Sequence, residues 1–426
     1  MGTPALNAQA DAPPADAPPA YGPPAEPAIA VPGSPAPEAI PDPLAEAAAR
    51  ALDQSPLVLG GLAEIAALDA DIRTARWQRY PGLSAEVLAT TGGSNVADAD
   101  GLAINLALEQ PIWSGGAIGS QIDAARANRE VGANALRETR FNILLAVIGA
   151  YYDILLAFER VQVLDAGIAE HRLLVESIER RVAAEVSPRA DLTLARSRLT
   201  QLEVERTSAS EAGANALLRL REFVGEEIDA PTMPDNDIFR LVPAEQVAMQ
   251  DMLACAPGLD RLRSAIDVAE AQVRTNRAGL FPQLLLQLSQ NEITGARAAL
   301  VLRAQTGNGL SRLSAIDSAR ARVDQAIAEL GQADRETRTR LSAEYVALRS
   351  SKERKIAGDM ASEAAASLLA SYRRQFVAGR RSWLDVLNAA REVTSANLAE
   401  SDAQVSAAAS ATRILALTCR WRPDGV

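Results

Sequence analysis

Apolar and polar positions alternate along four short stretches of the chain. In Leu102-Ala103-Ile104-Asn105-Leu106-Ala107-Leu108-Glu109 the even positions are large and apolar, and the odd ones are small or polar. Leu83, Ala85 and Val87 alternate with Ser84, Glu86 and Leu88. Leu284, Leu286 and Leu288 alternate with Leu285, Gln287 and Ser289, and Leu300 and Leu302 with Val301, Arg303 and Gln305. Period two with one apolar face predicts half-buried strands. We place them at about 81–91, 101–113, 282–291 and 297–306, each about ten residues long, which suits a tilted membrane strand. Trp77, Tyr80, Trp113 and Phe281 cluster at one end of the hairpins, where aromatics form an interfacial girdle. A soluble hairpin with ordinary core aromatics fits the alternation equally well.

Between the strands the period changes. From about Ser120 to Ala183 and from about Ser311 to Phe376 no proline occurs, and apolar runs such as Ile143-Leu144-Val147-Ile148 keep helical spacing. At about 1.5 Å per residue each helix is on the order of 100 Å long. Two such helices must pair as coiled coils, with alanine at the contacts. The hairpins span about 116–222 and 310–417 by the same pattern. Pro188 suits the start of one returning helix; Gly379 and Ser382 read as the αL cap and N-cap around the other turn. An opening helix is expected over about Pro43 to Gln78, ending before Pro81.

The chain also repeats itself. Ile122-Asp123-Ala124-Ala125-Arg126-Ala127 matches Ile316-Asp317-Ser318-Ala319-Arg320-Ala321. Tyr151 matches Tyr345, Asp191 matches Asp385, and Tyr80-Pro81-Gly82-Leu83 matches Phe281-Pro282-Gln283-Leu284. The register shifts once, by about seven residues lost between 92 and 101, and a single confined indel marks a loop. We divide the chain into a segment 1–43, a first repeat 44–240 and a second 241–426.

Composition narrows the chemistry. Hydrophobic residues make up 48% but aromatics only 4%, so close-packed alanine-rich helices dominate. A net charge of -11 argues against a nucleic-acid partner. The Pro-dense segment 1–43 reads as a disordered or polyproline-like arm without a visible signal peptide. With one histidine and two cysteines, no metal centre or cofactor site is expected. No Gly-rich phosphate loop or nucleophile–base pair points to an enzyme. No apolar run is read as a spanning helix. His171, between Glu170 and Arg172, is expected to face solvent. Cys255 and Cys419 are either a pair or two separate thiols, the latter slightly favoured.

Four stretches resemble the TolC-like outer-membrane channel family. They are Tyr80-Pro81-Gly82-Leu83, Gln110-Pro111-Ile112-Trp113-Ser114-Gly115-Gly116, Phe281-Pro282-Gln283-Leu284 and Gly379-Arg380-Arg381-Ser382-Trp383-Leu384-Asp385-Val386-Leu387-Asn388-Ala389. The last, with Tyr372-Arg373-Arg374-Gln375-Phe376, is most similar to members serving type I secretion, including adhesin exporters. The resemblance covers about residues 44–418. It implies a mainly α fold carrying a transmembrane β-barrel, in which a homotrimer shares twelve strands above a periplasmic helical tunnel. It implies a passive duct in the outer-membrane lipid, served by a periplasmic adaptor and an inner-membrane ABC or proton-driven transporter. The runner-up is a soluble coiled-coil adaptor of the cell envelope.

The resemblance also assigns residues. Asp385 and Asn388 match pore-lining positions, and Asn388 replaces a second acid. Asp191, Arg381 and Phe376 match the gate, with Phe376 in place of a tyrosine. Ala184, Glu185, Val186, Ala378, Gly379 and Arg380 match the adaptor-facing tips, with Glu185 where glycine is usual.

Overall fold

A computed structural model describes residues 37–90, 101–225, 229–291, 295–304 and 309–423. The expected arm, up to residue 36, and the loop holding the indel lie outside the described residues.

The chain opens with α1 (Asp42–Gln54) and α2 (Pro56–Trp77), then β1 (Gly82–Thr90) and β2 (Gly101–Trp113). The long helix α3 (Ala117–Ala183) turns into α4 (Arg189–Val224). The short α5 (Ile238–Leu241) and α6 (Glu245–Cys255) lead to the second copy. It comprises α7 (Pro257–Ala278), β3 (Gln283–Asn291), β4 (Gly295–Arg303), α8 (Ser311–Val377) and α9 (Trp383–Leu417). The first three strands fall within one residue of the sequence-based bounds, as expected when period and turn residues agree, whereas β4 starts two residues before the expected 297 and ends at Arg303 rather than 306.

Three expectations need correction. The arm ends earlier than 43: Ala39 and Ile40 are buried in the main core, and Asp42 already opens α1. The single opening helix is two helices. Pro56 drives Ser55 to ψ 127°, and the Ser55 hydroxyl accepts the Leu57 amide at 3.3 Å to start α2. Pro257 makes the same break between α6 and α7. Finally, one stretch of α3 is long and apolar enough to cross a bilayer, but 61% of it is buried inside the protein. Leu144, Val147, Ile148 and Tyr151 of that stretch pack with Ala408, Ala411 and Leu415 of α9. It is therefore core, and its continuous apolar character comes from being covered on several sides.

The four strands form one antiparallel sheet in the order β1-β2-β3-β4. β1 and β4 are its open edges. Outside the sheet, α3 pairs with α4 and α8 with α9 to form the two hairpins. Close approach is possible because small residues meet at the contacts: a Cβ on Gly358 of α8 would lie 3.0 Å from the Glu400 Cα of α9. A second core sits at the far end of the hairpins, built from Leu174, Ile178, Ala195, Leu369, Trp383, Val386 and Leu387.

Candidate channel strands and helical tips

The sheet has two unlike faces. Leu83, Leu300 and Leu302 are 75%, 66% and 67% exposed on one. The other carries Glu86, Asn105, Glu109, Gln287 and Arg303. An apolar face bared to its surroundings with a polar face behind it is the pattern of a membrane barrel, apolar toward lipid and polar toward the lumen. Trp77, Tyr80, Trp113 and Phe281 are all exposed at the helical end of the sheet. The Trp77 and Tyr80 rings meet at 5.0 Å between centroids, tilted by 53°. Gln110 fixes this end, its amide donating to the Arg79 and Pro111 carbonyls at 2.9 and 2.8 Å.

One cluster on the polar face escaped the sequence reading. Glu109 accepts from Gln287 at 2.8 Å and from both terminal nitrogens of Arg303 at 3.2 and 3.4 Å. It ties β2, β3 and β4 together. Its signal was available: Glu109 and Arg303 occupy the same position in the two copies, with opposite charge.

At the far end both turns close alike. The Gly379 amide donates to the Phe376 carbonyl and the Arg380 amide to that of Gln375. Glu185 and Val186 make the same bonds to Val182 and Arg181. This is a Schellman closure, which needs a left-handed residue. Gly379 supplies it at φ 71°, whereas Glu185 adopts φ 61° against steric preference. Ala184, Glu185, Val186, Ala378, Gly379 and Arg380 are all exposed.

The start of α9 is a capping box. The Ser382 hydroxyl accepts the Asp385 amide at 3.2 Å, and the Asp385 carboxylate accepts the Ser382 amide at 3.3 Å. Arg381 lies 3.7 Å from that carboxylate, donates to Gln375 at 3.2 Å and covers the Tyr372 ring at 4.4 Å. Asn388 is exposed one turn on, while Val386, Leu387, Ala389 and Ala390 face the core. Asp385 and Asn388 thus share the face turned away from the protomer. The first copy repeats the turn with Pro188 in place of Ser382, so Asp191 has no capping hydroxyl. Its carboxylate forms no ion pair with a described residue. Phe376 lies under Arg181, 5.1 Å from its guanidinium carbon, joining the two hairpins. Arg381 and Asp191 are not brought together within one chain.

Two residues differ from expectation. His171 is buried, not solvent-facing: it is 1% exposed, and its Nδ1 lies 2.8 Å from the Gly167 carbonyl. A Cβ on Gly167 would lie 2.7 Å from the Thr394 hydroxyl, so α3 and α9 are close here, and residues of α4 and α9 surround the ring. Its charged flanks on α3 made it look exposed. Burial, and to a lesser degree Arg198, lowers its pKa, against the Gly167 contact. Cys255 and Cys419 are a disulfide rather than separate thiols, with Cα atoms 6.6 Å apart across 164 residues.

The profile of the Outer membrane efflux protein family matches residues 47–226 and 248–420. The chain belongs to this family. It is an outer-membrane protein of the efflux-channel class, a family of passive channels rather than enzymes, and the two matched stretches follow its two copies. It is 27% identical to the alkaline protease secretion protein AprF of Pseudomonas aeruginosa over 70% of this chain. That match spans 66% of AprF, just under two thirds of its length. It is 28% identical to the protein CyaE of Bordetella pertussis, over 76% of this chain and 73% of that one. The outer membrane protein VceC of Vibrio cholerae shares the fold with a TM-score of 0.75 at 18% identity, over 88% of this chain and 96% of that one.

Proposed function

We propose that three copies of this chain close one barrel and one helical tunnel, forming a passive duct for proteins exported by type I secretion. The observation that carries this is the open four-stranded sheet with a bared apolar face. A sheet cannot lie in lipid with unpaired edges, so β1 and β4 need partners, and another copy supplies matching strands. Exposed Leu57 and Leu59 on α2 and Leu313 and Ile327 on α8 support further helix contacts between copies. AprF's description as a protease secretion protein supports protein cargo.

In this reading three Asp385 carboxylates and three Asn388 amides ring the tunnel's narrow end and favour cations. Asp191, Arg381 and Phe376 hold the tips closed. The exposed residues around Glu185 and Gly379 receive a periplasmic adaptor, which links the duct to an inner-membrane transporter supplying the energy. Planar-bilayer recording on purified protein tests the duct: cation-selective steps from a detergent-stable trimer are expected, and a non-conducting monomer overturns it. Deleting the gene tests the cargo. Loss of a secreted protein is expected; unchanged secretion with raised sensitivity to small toxic compounds would assign the duct to small-molecule efflux.

A further inference from the structure

We infer that neighbouring copies join in one defined strand register, in which Arg303 of β4 faces Glu86 on β1 of the next copy across the lumen side. This deepens the trimer reading above and rests on it. The register follows from the duplication. Within the chain Gly82 pairs with Glu109, and their counterparts Gln283 and Arg303 pair in the same way. The two hairpins therefore share one register. The junction between them sets Glu109 opposite Gln287 and Leu108 opposite Leu288. The junction between copies repeats this step, from a second hairpin to a first. Replacing each residue by its counterpart turns Glu109 into Arg303 and Gln287 into Glu86. It likewise turns Leu108 into Leu302 and Leu288 into Val87.

The chemistry agrees with this register on both faces. Glu86 is exposed and forms no ion pair with a described residue of its own chain. Arg303 uses one side for Glu109 and remains 40% exposed. A guanidinium fork can serve a carboxylate on each side. On the lipid face Val87 and Leu302 cover each other. Sliding β1 by one residue would turn Glu86, its one charge, toward lipid, and sliding it by two would set Ser84 against Arg303. The result is a belt of Glu109, Arg303 and Glu86 repeated around the barrel, with two carboxylates for each guanidinium, hence a net negative lumen at that level.

Cysteine pairs test the register in outer membranes. Val87→Cys with Leu302→Cys, which leaves every charge in place, and Glu86→Cys with Arg303→Cys should both give covalent trimers on mild oxidation. Ala85→Cys with Leu302→Cys and Ser84→Cys with Arg303→Cys should stay unlinked. Trimers in which the shifted pairs link better, or in which no pair links, overturn the register while leaving the trimer intact. A chain that is monomeric by light scattering in detergent overturns the trimer reading, and the register with it.

Discussion

The Asp385 carboxylate accepts the Ser382 amide and also lies on the helix face turned away from its own core. Substitution separates the two roles. Asp385→Asn keeps an acceptor for the cap and removes the charge, so thermal stability should hold while cation selectivity of the duct falls. Asp385→Ala loses both, and should cost about 1 kcal/mol of stability in addition. Equal selectivity in reversal-potential measurements on Asp385→Asn would leave this residue as a cap only. His171 gives a pH prediction. Its folded pKa lies below the unfolded value of about 6.5, because burial opposes the charged ring. The unfolded chain therefore takes up a proton that the folded chain resists. The contribution of neutral His171 is complete above that value, and is lost as pH falls from it toward the folded pKa. Melting temperature should drop between pH 7.5 and 5.5 (about neutral to mildly acidic) more steeply in wild type than in His171→Gln. Parallel curves would mean that the ring does not limit stability. The sequence hid this residue because its burial comes from other helices, with Arg198 and Leu202 of α4 and Thr394 and Leu398 of α9 beside it. Flanking charges report one helix, not what packs on it.

Among the elements, those with a strong local signal were legible and those set by tertiary contact were not. Leu102 to Glu109 alternates without interruption, and Ser382 with Asp385 three residues later announces a helix start. The break at Ser55 follows from the same proline rule that ended the opening helix before Pro81, and alanine-rich flanks masked it. The disulfide depends on bringing the end of α6 to the residues after α9, a distance no local pattern encodes. It closes a loop containing α7, β3, β4, α8 and α9. By chain entropy alone, closing so long a loop is worth about 5 kcal/mol, an upper value when the reduced chain keeps structure. Cys255→Ser should therefore lower the melting temperature, and dithiothreitol should lower wild type to match while leaving the variant unchanged. A wild-type melting curve insensitive to reductant would show that helix packing alone holds the junction.

For the whole molecule, the two copies are alike in backbone, and at the tips the same charge has different partners in each. Asp191 and Asp385 are counterparts, yet Asp385 is engaged by Ser382 and Arg381 whereas Asp191 has no ion pair with a described residue. Arg381 in turn is held over Tyr372 and near Gln375 and Asp385 of its own chain. If Arg381 and Asp191 hold the tips closed, they do so between copies, three times over in a trimer. An exposed pair is worth up to about 1 kcal/mol. Three pairs released together would shift a concerted closed-to-open equilibrium by on the order of a hundredfold. Arg381→Ser combined with Asp191→Ala should therefore raise open-state occupancy in planar bilayers. Both side chains lie outside the tip core of Trp383, Val386 and Leu387, which leaves its apolar residues unchanged, so trimer stability should change little. The single variants should each recover nearly the whole effect, because either one breaks the same pair. Additive single effects would mean that the residues act on different partners. An unchanged double variant would place the gate elsewhere, with the Phe376–Arg181 contact between the hairpins the next position to test.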